Sequence, residues 1–303
     1  MEFDLDDEMR AAAFLYLERQ RDIYGDRIPW KVLQAFEFDG RRRALITQRG
    51  IRWVSGMPAL TFTTTYSPDP TRAPYADGVG EDGFPRYKYQ GTEPARADNV
   101  SMKLAERLGK PLIWFVGTGV GVYAATYPVY VVGQDDAALE FTVALDEEQR
   151  ALWDEPRVDP ATRRRYAERL TRQRLHQPIF RSQVLRAYET QCTICRLRHA
   201  PLLDAAHILS DAEGGQPVVS NGMAMCKIHH AAYDQHLISV TSGYRIAVLR
   251  SVLEEFDGPM LRHGLQEIDG LPIQLPKRRA ELPDRDLLAQ RHARFVTYGG
   301  APA

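Results

Sequence analysis

All three cysteines of the chain and five of its eight histidines lie between residues 192 and 236. Cys192 and Cys195 form a Cys-x-x-Cys pair, and Cys226 and His229 form a Cys-x-x-His pair. An odd number of cysteines at this spacing makes a poor disulfide framework and reads as metal ligation in a reducing compartment. Three thiolates and one imidazole are the donor set that zinc takes in a tetrahedron, and a two-residue gap lets one turn present both of its ligands. The 30 residues between the two pairs close a loop too small to hold a core alone. Structural Zn²⁺ at Cys192, Cys195, Cys226 and His229 would therefore be part of folding. On spacing alone, a zinc ribbon without chemistry fits as well.

Around these ligands stand D-A-A-H-I (204–208), S-N-G (220–222) and M-C-K-I-H-H-A-A-Y-D (225–234). The stretch from about 180 to 240 resembles the HNH endonuclease family, the ββα-metal nucleases. The resemblance implies His207 as general base at the end of the first strand and Asn221 orienting the loop. It implies His230 on the following helix as ligand of a catalytic Mg²⁺ or Mn²⁺. The family often carries an acid directly before the base histidine; here that position is Ala206. Asp204 or Asp234 is the candidate second ligand, the latter one helical turn beyond His230.

The rest of the chain divides by composition. Residues 1–28 contain a helical segment with Leu5, Met9, Ala13 and Leu17 at helical spacing. Residues 29–150 alternate short apolar runs with Gly, Pro and Asp, a strand-and-turn pattern. The runs at 44–47, 60–66, 112–116, 127–132 and 141–145 are the expected strands, with one helix at 99–108. Residues 151–180 read as a basic helical linker, divided from a further helix at 181–188 by Pro178. Residues 181–303 form the nuclease domain, with further strands at 244–249 and 271–275 and a last helix at 284–294. Residues 161–200 hold ten arginines against Glu168 and Glu189. That excess sits beside the nuclease motif and points to phosphate contact, with Arg181 and Arg186 as candidates. Arg41–Arg43 beside Gly40 fit either a hairpin tip over a phosphate or a solvated face. The start is acidic and no apolar run reaches 18 residues, so neither a secretory signal nor a membrane span is expected, and the reading is cytoplasmic.

Y-A-D-G (75–78), F-P-R-Y-K-Y-Q-G (84–91), Asn99, P-L-I-W-F-V (111–116) and Y-P-V-Y-V-V (127–132) resemble the SRA domain, a reader of modified cytosine. A PUA-like relative of that barrel class would give a similar pattern. The resemblance implies a base flipped into a pocket, with Tyr75 and Tyr89 stacking on it. Asp77 would accept from its exocyclic amine and Gln90 would touch the ring edge. The expected fold is α+β, an N-terminal curved β-barrel of SRA/PUA-like kind followed by a ββα-metal domain with a structural zinc. The expected partners are double-stranded, cytosine-modified DNA and a second copy of the chain, with no nucleotide cofactor. Two rivals stand beside this reading. One is an HNH nuclease that reads another modification, such as phosphorothioate or glucosylated cytosine, or none; the other is a non-catalytic zinc-stabilised DNA-binding protein.

Overall fold

Leu112–Gly119 is buried along its whole length, and its side chains alternate between two cores. Leu112, Trp114 and Val116 enter one, with Ile113 and Phe115 in the other. A strand shows its residues to opposite faces in turn, so this sheet is covered on both sides. The computed structural model describes residues 2–54, 56–66, 78–155, 158–210 and 213–299. It forms two compact units, Met1–Ile179 and Phe180–Ala303.

In the first unit the strands are β1 (Ile28–Pro29), β2 (Glu37–Phe38), β3 (Arg41–Arg42), β4 (Ile51–Arg52), β5 (Thr61–Thr64), β6 (Arg86–Lys88), β7 (Leu112–Gly119), β8 (Val122–Asp135) and β9 (Glu140–Ala144). The main sheet runs β4-β5-β7-β8-β9-β6, with β1 paired to β8. Among the described residues, β5 and β7 are the one parallel pair of this sheet. Register shifts within β7/β8 and β8/β9 bend the long β8, and in place of the expected curved barrel the sheet is a curled half-barrel. Bulges produce such curling because the extra residue tightens the local twist. Phe62, Tyr87 and Trp114 meet on one face, with ring centroids 4.7–6.2 Å apart.

Helices α1 (Glu2–Tyr24), α2 (Trp30–Gln34), α3 (Ala97–Arg107), α4 (Glu147–Asp154) and α5 (Pro160–Thr171) complete this unit. Ala13 and Leu17 of α1 are buried. So is Arg10, which pairs with Asp6 at 2.7 Å and donates to the carbonyls of Pro111, Pro58 and Ala59. A buried guanidinium is tolerated only when its donors are used in this way. Residues 44–47, expected as a strand, make no ladder. Leu45 and Ile46 are fully buried there, and Leu45 N donates to Leu33 O at 3.0 Å. Asp39 and Gly40 both take positive φ and turn β2 into β3, the hairpin that the Asp-Gly pair favours.

Pro178 does not break the chain's helical path. α5 leads into a π-helical turn at Arg172–His176 and then α6 (Gln177–Ala187). Pro178 is the second residue of α6, where an absent N–H is tolerated, and the wider turn before it absorbs the clash that a proline ring causes.

The second unit contains β10 (Leu203–His207) paired antiparallel with β11 (Gly222–Cys226), then α7 (Lys227–Asp234). β12 (Ile238–Val240) pairs with β13 (Ile246–Val248). Helices α8 (Arg250–Glu254), α9 (Pro259–Leu261) and α10 (Arg285–Thr297) follow, the last capped by Asp284 through the amides of Asp286 and Leu287. Residues 271–275, expected as a strand, give a single bridge, Arg245 to Pro272. Val184, Leu203, Ala206, Met223, Met225, Tyr233, Ile238 and Leu288 share the core. No helix among the described residues is long and apolar enough to cross a membrane.

Candidate metal and catalytic site

α7 begins directly after β11 with no loop between them, so Cys226 caps the helix and His229 follows one turn later. The turn at Cys192–Cys195 ends with Arg196 in the left-handed region (φ 62°), and Arg196 N donates to Cys192 O at 3.0 Å. The ligand atoms of Cys192, Cys195, Cys226 and His229 lie within 4.8 Å of one another. Cys195 Sγ to Cys226 Sγ is 3.9 Å, and His229 Nδ1 is 3.7 Å from Cys192 Sγ and 3.1 Å from Cys226 Sγ. A tetrahedron of about 2.3 Å zinc–sulfur bonds has edges of about 3.8 Å, so the set fits a zinc ion. His229 Nε2 lies 2.8 Å from Gly264 O, the backbone contact that fixes the tautomer of a ligating imidazole. Burial disfavours a charged His229, yet contact with Cys192 and Cys226 outweighs it and raises the imidazole to about 10. A cation on these atoms would compete with that proton.

Successive residues of a helix point about 100° apart. His229 therefore turns into the unit, where it is buried, while His230 stands a quarter exposed on another side. There its Nδ1 lies 3.7 Å from Asp204 Oδ2, and its Nε2 lies 3.3 Å from Asp234 Oδ2. The two acids thus address opposite ring nitrogens. An ion on one nitrogen recruits one acid, not both. Asp204 is the more firmly held of the two. Lys227 Nζ lies 2.5 Å from Oδ2 and Arg181 Nε 3.3 Å from Oδ1. The His230 contact, then Lys227 and Arg181, hold its carboxyl well below the usual carboxylate range against the opposing effect of burial.

His207 closes β10 and pairs in register with Gly222. Its ring stacks on Phe180, with centroids 4.0 Å apart and planes 17° apart. Gly222 makes room for that stack. A Cβ there would lie 2.5 Å from Val184 and 2.7 Å from Phe180. Asn221 is fully buried, and its amide is used completely. Oδ1 accepts from Leu209 N, and Nδ2 donates to Leu209 O and Gln216 O, all at 2.9 Å. This side chain has no proton to exchange with a substrate; it ties the loop after His207 to itself. Gly215 belongs to the same device, since a Cβ there would lie 1.9 Å from Leu209 O.

Other expected site residues are placed differently. Arg181 and Arg186, expected as phosphate contacts, are engaged within their unit. Arg181 also donates to the carbonyls of Leu203 (2.8 Å) and Ala200 (3.1 Å), and Arg186 pairs with Glu281 at 3.1 Å. Tyr75 and Asp77 lie outside the described residues. Tyr89, expected to stack on a base, is buried instead. Its ring packs on Phe141 at 4.3 Å, Lys103 sits over it, and its hydroxyl donates to Asp136 at 2.6 Å. Gln90 is half-buried and reaches Tyr87 through its amide at 3.3 Å. Phe180, Gly222 and Lys227 were not singled out in the sequence; the glycine of S-N-G was the one visible signal.

A family model described as HNH endonuclease matches residues 192–241. The second unit thus carries an HNH endonuclease domain, and the chain is a DNA nuclease. No curated protein sequence matches the chain. Among solved structures it is similar to the modification dependent TagI restriction endonuclease, at 15 % identity over 82 % of this chain and 85 % of that one, with a TM-score of 0.28. It is also similar to the Type IV phosphorothioation-dependent restriction endonuclease ScoMcrA, at 13 % identity over 82 % and 53 % of the two chains, with a TM-score of 0.24.

The contrast between the two acids is testable. Asp204→Asn is expected to lower Mn²⁺-supported cleavage on the order of a hundredfold, a part of the several kcal/mol that a metal ion supplies. Asp234→Asn, on the half-exposed side, should cost less than about tenfold. A metal titration of cleavage by both variants decides; the reverse order would put the ion on the Nε2 side of His230.

Proposed function

We propose that the chain is a modification-dependent DNA endonuclease acting as a homodimer on double-stranded DNA. Its first unit recognises 5-methylcytosine or 5-hydroxymethylcytosine by base flipping, and its second hydrolyses a phosphodiester bond nearby. The observation that carries the nuclease part is the ββα arrangement of His207, Asp204 and His230 beside a separate Cys₃His cluster. His207 accepts the proton of a water molecule as that water's oxygen attacks phosphorus. The bond to the 3′ oxygen breaks and that oxygen takes a proton from solvent water, leaving a 3′-hydroxyl and a 5′-phosphate. A Mg²⁺ or Mn²⁺ ion held by Asp204 and His230, when bound, stabilises charge on the phosphate and the leaving oxygen. Asn221 keeps the loop after His207 in place. Zn²⁺ at Cys192, Cys195, Cys226 and His229 is structural.

The base-reading part rests on two observations, the sequence motif at 75–91 and a curled sheet lined with aromatic rings. Tyr75 would stack on the base, with Asp77 and Gln90 on its pairing edge. Cleavage of one plasmid prepared unmodified, methylated, hydroxymethylated and phosphorothioated tests the proposal. Cutting confined to the cytosine-modified forms is expected. Equal cutting of all four would discard modification dependence, and cutting of the phosphorothioated form alone would replace the base with the backbone.

A further inference from the structure

We infer that the first unit holds a second nucleic-acid contact, a cavity between Trp30 and Trp53 that receives an unstacked nucleotide of the DNA. None of its lining residues belongs to the motif at 75–91. The cavity has a volume of about 650 Å³. Trp30, Trp53, Gln34, Thr47, Gln48 and Arg49 line it, above the buried Ile46 and Ile51.

Two of the chain's four tryptophans are committed elsewhere. Trp114 is buried and bonded to Thr64 Oγ1 at 2.9 Å, and Trp153 packs on Phe84 at 5.1 Å. Trp30 and Trp53 are half-buried, as Trp153 is, but they line the cavity. Each is nonetheless fixed in place. Trp53 Nε1 donates to Asp98 Oδ1 at 2.7 Å, and the Trp30 ring leans on Tyr123 with centroids 5.8 Å apart. Held indoles with uncovered surface are the platform that single bases use, since every base has a π face. Phenyl or indole surface left open forgoes part of the large burial that such rings otherwise gain.

The polar lining points the same way. The Thr47 hydroxyl is shielded from solvent and has no hydrogen-bond partner among the described residues. Such groups normally find a partner in the protein, in water or in a ligand. Arg49 is exposed and makes no ion pair among the described residues. Residues 40–66 contain five arginines (41, 42, 43, 49 and 52) and no Asp or Glu. Burial lowers the proton affinity of Arg52, and the nearby Arg43 lowers it further, so the positive charges here repel one another without an acid in their own segment. An anionic backbone would relieve that repulsion. Aromatic faces beside the exposed guanidinium of Arg49, whose neighbouring acid, Asp98, is already paired with Arg96 and bonded to Trp53, suit a base together with its phosphate, and the nuclease unit on the same chain makes DNA the source.

Binding of a fluorescein-labelled duplex to the full chain, followed by anisotropy with Ca²⁺ in place of the catalytic metal, tests the inference. Trp53→Leu and Trp53→Phe both remove the bond to Asp98, but only phenylalanine keeps an aromatic face. Leucine is expected to weaken binding roughly tenfold, and phenylalanine to stay within about threefold of the parent. Arg49→Ala should lower the slope of log affinity against log salt by about 1, as the loss of one phosphate contact does. Equal losses for leucine and phenylalanine would overturn the inference, whether or not Arg49 changes the slope. So would three variants that bind like the parent. Should Trp53→Leu fail to fold, Trp30→Leu against Trp30→Phe gives the same comparison. Plain and cytosine-modified duplexes are measured side by side. A loss seen on both stands even if modification dependence fails.

Discussion

His207→Ala is expected to lower DNA cleavage by about 10²–10⁴-fold, the range that a positioned general base contributes. DNA affinity and zinc content should stay at their parental values. The geometry explains why the loss would be confined to chemistry. His207 is the last residue of β10, and the strand's pairing to β11 runs through backbone atoms that alanine keeps. The imidazole meets Phe180 face to face and is no part of the Cys₃His set. Single-turnover cleavage, anisotropy and metal content on one preparation make the check. Cleavage within about threefold of the parent would give the base role to another side chain. Absence of cleavage in the parent with every metal and every modified plasmid would instead favour a binding module.

The Cys₃His set was legible in the sequence because its logic is local. Two short turns and a tetrahedral ion fix residue type and spacing together. The separate places of His229 and His230 were legible for the same reason, since neighbours on a helix face different ways. What escaped is what packing decides across the fold. Phe180 lies on α6, far in sequence from His207, and nothing in its own segment marks it as the surface on which that ring rests. Lys227 looks like an ordinary helix-start lysine until β10 brings Asp204 within 2.5 Å. Arg181 and Arg186 sit in a basic segment and invite a phosphate, yet both are drawn inward by a carboxylate on another element. Tyr89 carries the motif's aromatic pattern, but its register beside β6 turns it into the core. Leu45 and Ile46 show the limit of reading strands from apolar runs. Their burial is real, but Leu45 N donates to the Leu33 carbonyl of α2 and Leu45 O accepts from the Thr61 hydroxyl of β5, so no ladder forms.

Cys192→Ala should remove the zinc and unfold the second unit. Apparent zinc binding in small zinc-dependent folds is worth about 10–16 kcal/mol, more than the whole stability of most domains. Cys192 is fully buried and belongs to the unit's hydrophobic core as well as to the ligand set. Its backbone holds the knuckle shut through Leu197 O and Arg196 N. Around it stand two-stranded pairs, which are marginal by themselves and depend on the core that Cys192 and Cys226 join. The effect therefore differs in kind from that of Asp204→Asn, which touches a carboxylate a quarter exposed and outside the hydrophobic core, and should leave the fold intact. Metal analysis and circular dichroism, with a strong chelator acting on the parent protein as a parallel arm, distinguish the two. Both treatments should give the same loss of helical signal, because both remove the same ion. Acid should reach that end as well, since three thiolates and an imidazole must shed protons to bind it. A Cys192→Ala protein that keeps one zinc and its helical signal would show that the ion is held elsewhere, and the division between a structural cluster and a catalytic pair would then have to be redrawn around His230.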